Sequence, residues 1–65
     1  MSNITKNLRQ LRESKHLSQE KLARLSDVAN NTIVKIEAGK NKNPTLDTLK
    51  KIATALDVSV DKLIT

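Results

Sequence analysis

Apolar side chains recur every three or four residues along almost the whole chain, the spacing of one buried helix face. Ile4, Leu8 and Leu11 form one stripe, Leu22 and Leu25 a second, and Ile33 and Ile36 a third. Leu46, Leu49, Ile52, Ala53 and Leu56 form the longest, and Leu63 with Ile64 closes the chain. Alternating strand-like runs are nearly absent, and Val58-Ser59-Val60 is too short for a strand. The chain therefore reads as all-α. Between the stripes lie residues that start and stop helices. Ser18, Thr45 and Ser59 each precede an acid within the first turn, where a hydroxyl cap and a negative charge both suit the helix dipole. Gly39, the only glycine, follows Ile36-Glu37-Ala38, where a left-handed residue ends a helix. Together these signals predict five helices, at about 2–15, 19–26, 30–38, 46–56 and 60–64, within one domain spanning residues 1–65.

At 65 residues a single core is only marginally stabilising, and the absence of cysteine excludes disulfides and thiolate metal sites. No apolar run is long enough to cross a membrane, and the amino terminus lacks the apolar stretch of a secretion signal, so a cytoplasmic location is expected, with no membrane partner. Nine of the twelve Lys and Arg residues fall within residues 1–42 beside only four of the seven acids, so the whole net charge of +5 sits there. That asymmetry favours a polyanionic partner, although a solvated surface also carries such charge. With no Phe, Tyr or Trp the chain lacks the rings on which single-stranded or RNA bases stack, leaving a duplex read by charge and hydrogen bonds.

The second and third predicted helices are separated only by Asp27-Val28-Ala29, and such a tight turn projects the later helix from the surface. Leu17-Ser-Gln-Glu-Lys-Leu-Ala23 and Val28-Ala-Asn-Asn-Thr-Ile-Val-Lys-Ile-Glu-Ala-Gly39 resemble the phage repressor and Cro type of helix-turn-helix domain. Asn43-Pro-Thr-Leu-Asp-Thr-Leu49 and Leu56-Asp-Val-Ser-Val-Asp-Lys-Leu63 resemble its fourth and fifth helices, so the likeness covers essentially the whole chain. The resemblance implies a compact, five-helix, lambda-repressor-like fold with the motif at about 19–38, and sequence-specific binding to double-stranded DNA in the major groove. It further implies a transcriptional regulator, a repressor more than an activator, acting as a homodimer on a palindromic operator. The chain reads equally as a complete small regulator or as the amino-terminal domain of a longer repressor.

With Ile33 as the core direction and about 100° per residue, Ile36, Glu37 and Ala29 fall on the inner side of the third helix. Asn31 and Lys35 lie nearly opposite, with Val34 and Ala38 beside them. Asparagine can pair with adenine through both amide groups, lysine can donate to guanine, and a valine can meet a thymine methyl. Asn30, Asn31, Val34 and Lys35 are therefore the candidate base readers; an ordinary polar surface helix is the bland alternative. Candidate phosphate contacts are Ser18 and Gln19 at the start of the second helix, Thr32 on the flank of the third, and Lys40, Asn41, Lys42 and Asn43 in the loop before Pro44. Lys6, Arg9 and Lys15 are weaker candidates, because solvated surface explains them as well. Glu37 leans inward and needs a cation. In the family an Arg of the first helix meets a Glu at this point, and Arg12 matches that position, implying a structural ion pair.

Two departures from the family pattern bear on the turn. Asp27 stands where a glycine is usual, and Ala29 replaces the usual Ser or Thr cap, so the third helix starts weakly unless Asn30 caps it. His16, the single histidine, has no second ligand nearby, and no nucleophile triad, phosphate loop or carboxylate pair stands out. No metal, cofactor or catalytic role is expected, and the chain reads as a non-enzyme. The competing class is an antitoxin-like or adaptor protein-interaction module on the same fold, which an exposed apolar patch would favour. Helix five, with Leu63 and Ile64, is the expected contact between copies.

Overall fold

Hydroxyl caps set where three of the helices begin. In the computed structural model, which describes residues 3–65, α1 spans Ile4–Ser14, α2 Gln19–Ser26, α3 Asn30–Glu37, α4 Leu46–Leu56 and α5 Val60–Ile64, and no strand occurs among the described residues. The expected start of the first helix at Ser2 lies outside the described residues. Ser18, Thr45 and Ser59 accept from the backbone N–H three positions on, at Lys21, Thr48 and Lys62 (3.0, 3.2 and 3.2 Å), and Glu20, Asp47 and Asp61 supply the acidic first turns.

The ends of α1 to α4 are more uniform. His16, Asp27 and Asp57 (φ 58° each) and Gly39 (φ 77°) adopt the left-handed conformation. The residue after each donates to the carbonyl five positions back: Leu17 to Arg12, Val28 to Ala23, Lys40 to Lys35 and Val58 to Ala53, at 2.9–3.2 Å. Asp27 thus takes the conformation for which glycine is usual. His16 and Asp57 do the same without having been singled out as helix stops.

Helix α3 packs on α2 and α1, α2 also packs on α4, and α5 lies against α1 and α4. Their shared core is aliphatic: Ile4, Leu8, Leu22, Ile33, Ile36, Ile52, Leu56 and Leu63 are fully buried, with Ala23 and Ala53 buried among them. Each large side chain so buried contributes about 1.5–3 kcal/mol, against about 1 kcal/mol for a cap, so packing outweighs capping. Asn7 Nδ2 donates to Leu63 O (2.9 Å) and fastens α5 to α1.

Four expectations from the pattern are corrected. Leu25 and Leu46 share the spacing of their stripes but are 53% and 59% exposed. Leu25 sits on the open side of α2, and Leu46 opens α4 at its first turn, ahead of the packed residues. Ala29 is exposed, because it lies in extended backbone before α3 and a helical rotation does not apply to it. Leu63 is wholly enclosed and therefore not free for contact between copies, whereas Ile64 is half-buried. Among the described residues, no helix is long and apolar enough to cross a membrane.

Candidate nucleic-acid interface

Three residues join α2 to α3, and their backbone fixes the angle between the helices. Asp27 turns left-handed (φ 58°, ψ 42°), Val28 is half-buried beneath the turn, and Ala29 is extended (φ −64°, ψ 140°). Ala23, 4% exposed, leaves room for the close approach, and buried Ser26 turns its hydroxyl back to Leu22 O (2.7 Å). Thr32 N–H and Ile33 N–H both donate to Ala29 O (3.0 and 3.4 Å), but no side chain caps the start of α3, and Asn30 is its first helical residue rather than its cap.

From there α3 divides cleanly. Ile33 and Ile36 are fully buried and Glu37 nearly so, while Asn30, Asn31, Val34, Lys35 and Ala38 are exposed. Among the described residues, the side chains of Asn30, Asn31 and Lys35 make no hydrogen bond or ion pair within the chain. Thr32 is half-buried on the flank. The outward strip therefore offers two carboxamides, one ammonium and two small apolar groups to a partner.

The loop after α3 is fastened to it. Lys40 N–H and Asn41 N–H share the carbonyl of Lys35 (2.9 and 3.1 Å), and Asn41 Oδ1 accepts from Asn43 N–H (3.2 Å). Lys40, Lys42 and Asn43 are exposed and Asn41 is half-buried. Ser18 is exposed at the head of α2 with its oxygen already accepting from Lys21 N–H, which leaves its hydroxyl proton available. Gln19 is committed in part: its Nε2 donates to Glu37 Oε1 (3.1 Å), tying the start of α2 to the end of α3.

Glu37 is the hub of the buried polar cluster. Arg12 grips its carboxylate with two parallel bonds, Nε to Oε2 (2.6 Å) and Nη2 to Oε1 (2.9 Å), and donates from Nη1 to Leu17 O (2.6 Å). The two side chains are 12% and 1% exposed, so the pair is shielded from water. Arg9 Nε stands 3.7 Å from Glu37 Oε1, and its Nη2 donates to Glu37 O (3.1 Å). Burial pushes the Glu37 carboxyl up, but the bonds from Arg12 and Gln19 and the charges of Arg12 and Arg9 outweigh it and hold the group below the ordinary carboxylate value. Its bond to Glu37 raises Arg12 in turn, against the opposing effect of burial. No buried side-chain polar atom among the described residues lacks a partner.

Sequence reasoning passed over Thr5, whose Oγ1 donates to Ile36 O (2.8 Å), and the Arg9 bond to Glu37 O. Both meet backbone carbonyls across 31 and 28 residues of chain, and a backbone acceptor leaves no mark on residue type. The one available sign is that Thr5, Arg9 and Arg12 share a face of α1 at helical spacing.

Two short helices at a tight turn, the second raised on a buried isoleucine ridge with its polar strip bare, define a helix-turn-helix unit. The chain belongs to the helix-turn-helix family, whose model matches residues 8–63. It is 42% identical over 62 residues to the control protein C.SmaI of Serratia marcescens, covering 95% of this chain and 73% of that protein. The crystal structure of the restriction-modification controller protein C.AhdI from Aeromonas hydrophila superposes with a TM-score of 0.86 at 40% identity, over 92% of this chain and 89% of that one. SinR, a master regulator for biofilm formation crystallised in complex with DNA, superposes with a TM-score of 0.89 at 35% identity, over 92% of this chain and 95% of that one. The chain spans only 30% and 46% of two longer relatives, HTH-type transcriptional regulators of Coxiella burnetii and Bacillus subtilis.

Proposed function

We propose that this chain binds double-stranded DNA sequence-specifically, laying α3 in the major groove, and regulates transcription without catalysis, metal or cofactor. The observation that carries the reading is the bare outer strip of α3: Asn31 and Lys35 are exposed and unpartnered directly above a fully buried ridge. Asn31 and Lys35 supply the principal base contacts, with Asn30 and Val34 beside them, each good pairing being worth about 1–3 kcal/mol of discrimination. Ser18, Gln19, Thr32, Lys40, Asn41, Lys42 and Asn43 set register on the phosphates. The crystallisation of SinR in complex with DNA supports the binding of DNA by likeness of fold.

Residues 1–65 act as one domain in the cytoplasm, and two copies occupy the halves of a palindromic operator about one helical turn apart. Repression is favoured over activation, since occupancy alone suffices to block a promoter. Selection of bound sequences from random duplexes, followed by salt titration on the winner, tests the reading. A conserved two-fold site with affinity falling steeply as salt rises supports it. The adaptor reading draws on exposed Leu25 and Leu46, and a protein partner held through them with weak salt dependence, in the absence of any selected DNA, would replace it.

A further inference from the structure

We propose that Thr5 and Arg9 of α1 are positioning residues for base recognition, holding the carboxyl-terminal end of α3 at the pitch that sets Lys35 on its base pair. The proposal rests on the reading of α3 as the DNA-reading helix. The last four carbonyls of any α-helix lack partners within it, and in α3 these belong to Val34, Lys35, Ile36 and Glu37. The following loop serves the first three: Ala38 N–H bonds Val34 O, Lys40 and Asn41 N–H bond Lys35 O, and Gly39 N–H bonds Ile36 O. Two further donors come from a different helix. Thr5 Oγ1 reaches Ile36 O at 2.8 Å, and Arg9 Nη2 reaches Glu37 O at 3.1 Å.

Thr5 and Arg9 are one turn apart on α1, and Arg12 extends the same face to the Glu37 carboxylate. Helix α1 thus grips the end of α3 at two backbone carbonyls and one side chain. The start of α3 has no side-chain cap and is held through its turn with α2. Releasing the grip tilts α3 about its start, so the displacement falls on Lys35, next to Ile36, and spares Asn31, more than a turn away. The grip acts on backbone carbonyls, which carry no sequence information. Arg9 remains 55% exposed in its side chain, so its positioning role must be separated from a phosphate contact.

The test measures the 65-residue chain and its Thr5→Val, Thr5→Ser, Arg9→Met, Asn31→Ala and Lys35→Ala variants on the duplex selected by the wild type. All single-base-pair changes of that duplex are included, with non-specific DNA as reference. Thr5→Val should lose about three- to tenfold of preference at the base pairs where Lys35→Ala loses it. Preference at the Asn31-dependent pairs and non-specific affinity should hold, and Thr5→Ser should behave as wild type. Arg9→Met, which keeps the aliphatic stem of a largely exposed side chain, should repeat this positional pattern once normalised to non-specific binding, and it decides the matter if Thr5→Val does not fold. Uniform weakening at every base pair, or wild-type preference throughout in both variants, overturns the proposal. A wild-type chain without base preference on any duplex overturns the DNA reading itself, and the positioning role with it, before any substitution is compared.

Discussion

Helices α2 and α3 are both eight residues long and adjacent, yet they dispose of their polar groups in opposite ways. Helix α2 is capped by Ser18, carries an acid in its first turn, pairs Arg24 with Glu20 (3.0 Å) and commits Gln19 to Glu37. Helix α3 has no side-chain cap and no acid in its first turn, and it leaves Asn30, Asn31 and Lys35 unpartnered. What secures it lies at the other end, where Thr5, Arg9 and Arg12 hold its last carbonyls and its Glu37 side chain. A helix that must offer its groups to a partner cannot use them for its own stability, and the neighbouring helices supply the difference.

The sharpest way to break this contrast is at the grip itself. Arg12→Ala leaves the Glu37 carboxylate buried without its bidentate partner and should cost about 3–5 kcal/mol in urea denaturation. The same cluster sets an acid limit. Because the folded Glu37 value lies below the ordinary one of 4.5, its contribution is complete above that pH and is lost as pH falls through the folded value. The stability difference between wild type and Glu37→Gln should therefore be constant near neutral pH and shrink on acidification. A difference that persists unchanged to low pH would contradict the assignment.

Next in size are the exposed side chains proposed as readers. Asn31→Ala and Lys35→Ala should each remove about 1–3 kcal/mol of base discrimination while changing folding stability by less than about 0.5 kcal/mol. Ala29→Ser gives α3 the kind of cap that α2 already has, and should stabilise the chain by about 1 kcal/mol, read as a raised denaturation midpoint. The smallest effect belongs to α2: Arg24→Ala breaks an exposed i, i+4 pair and should cost about 0.3–0.5 kcal/mol with base preference unaltered.

The helix boundaries were legible because local chemistry sets them. Ser18, Thr45 and Ser59 are hydroxyl caps by residue type, and Gly39 and Asp27 stand where left-handed backbone is needed. Which apolar residues stay wet was not legible. Leu25 and Leu46 obey the same periodicity as Leu22 and Leu49, and only the arrangement of neighbouring helices separates them. Leu63 reads as a terminal apolar residue free for a partner copy, but the return of α5 onto α1 and α4 encloses it. At the candidate interface, the outward direction of Asn31 and Lys35 follows from helical rotation alone. The attachments of Gln19, Thr5 and Arg9 do not, because each depends on a tertiary contact, and two of them end on backbone oxygens.

The most direct test of major-groove reading by α3 is to replace purines of the selected duplex one at a time with their 7-deaza analogues. These remove the N7 acceptor from the major groove and leave base pairing intact. Wild-type affinity should fall at defined purines, and those losses should vanish at one set of positions in Asn31→Ala and at another in Lys35→Ala. Affinity indifferent to every 7-deaza substitution, yet sensitive to changes in minor-groove substituents, would contradict the account.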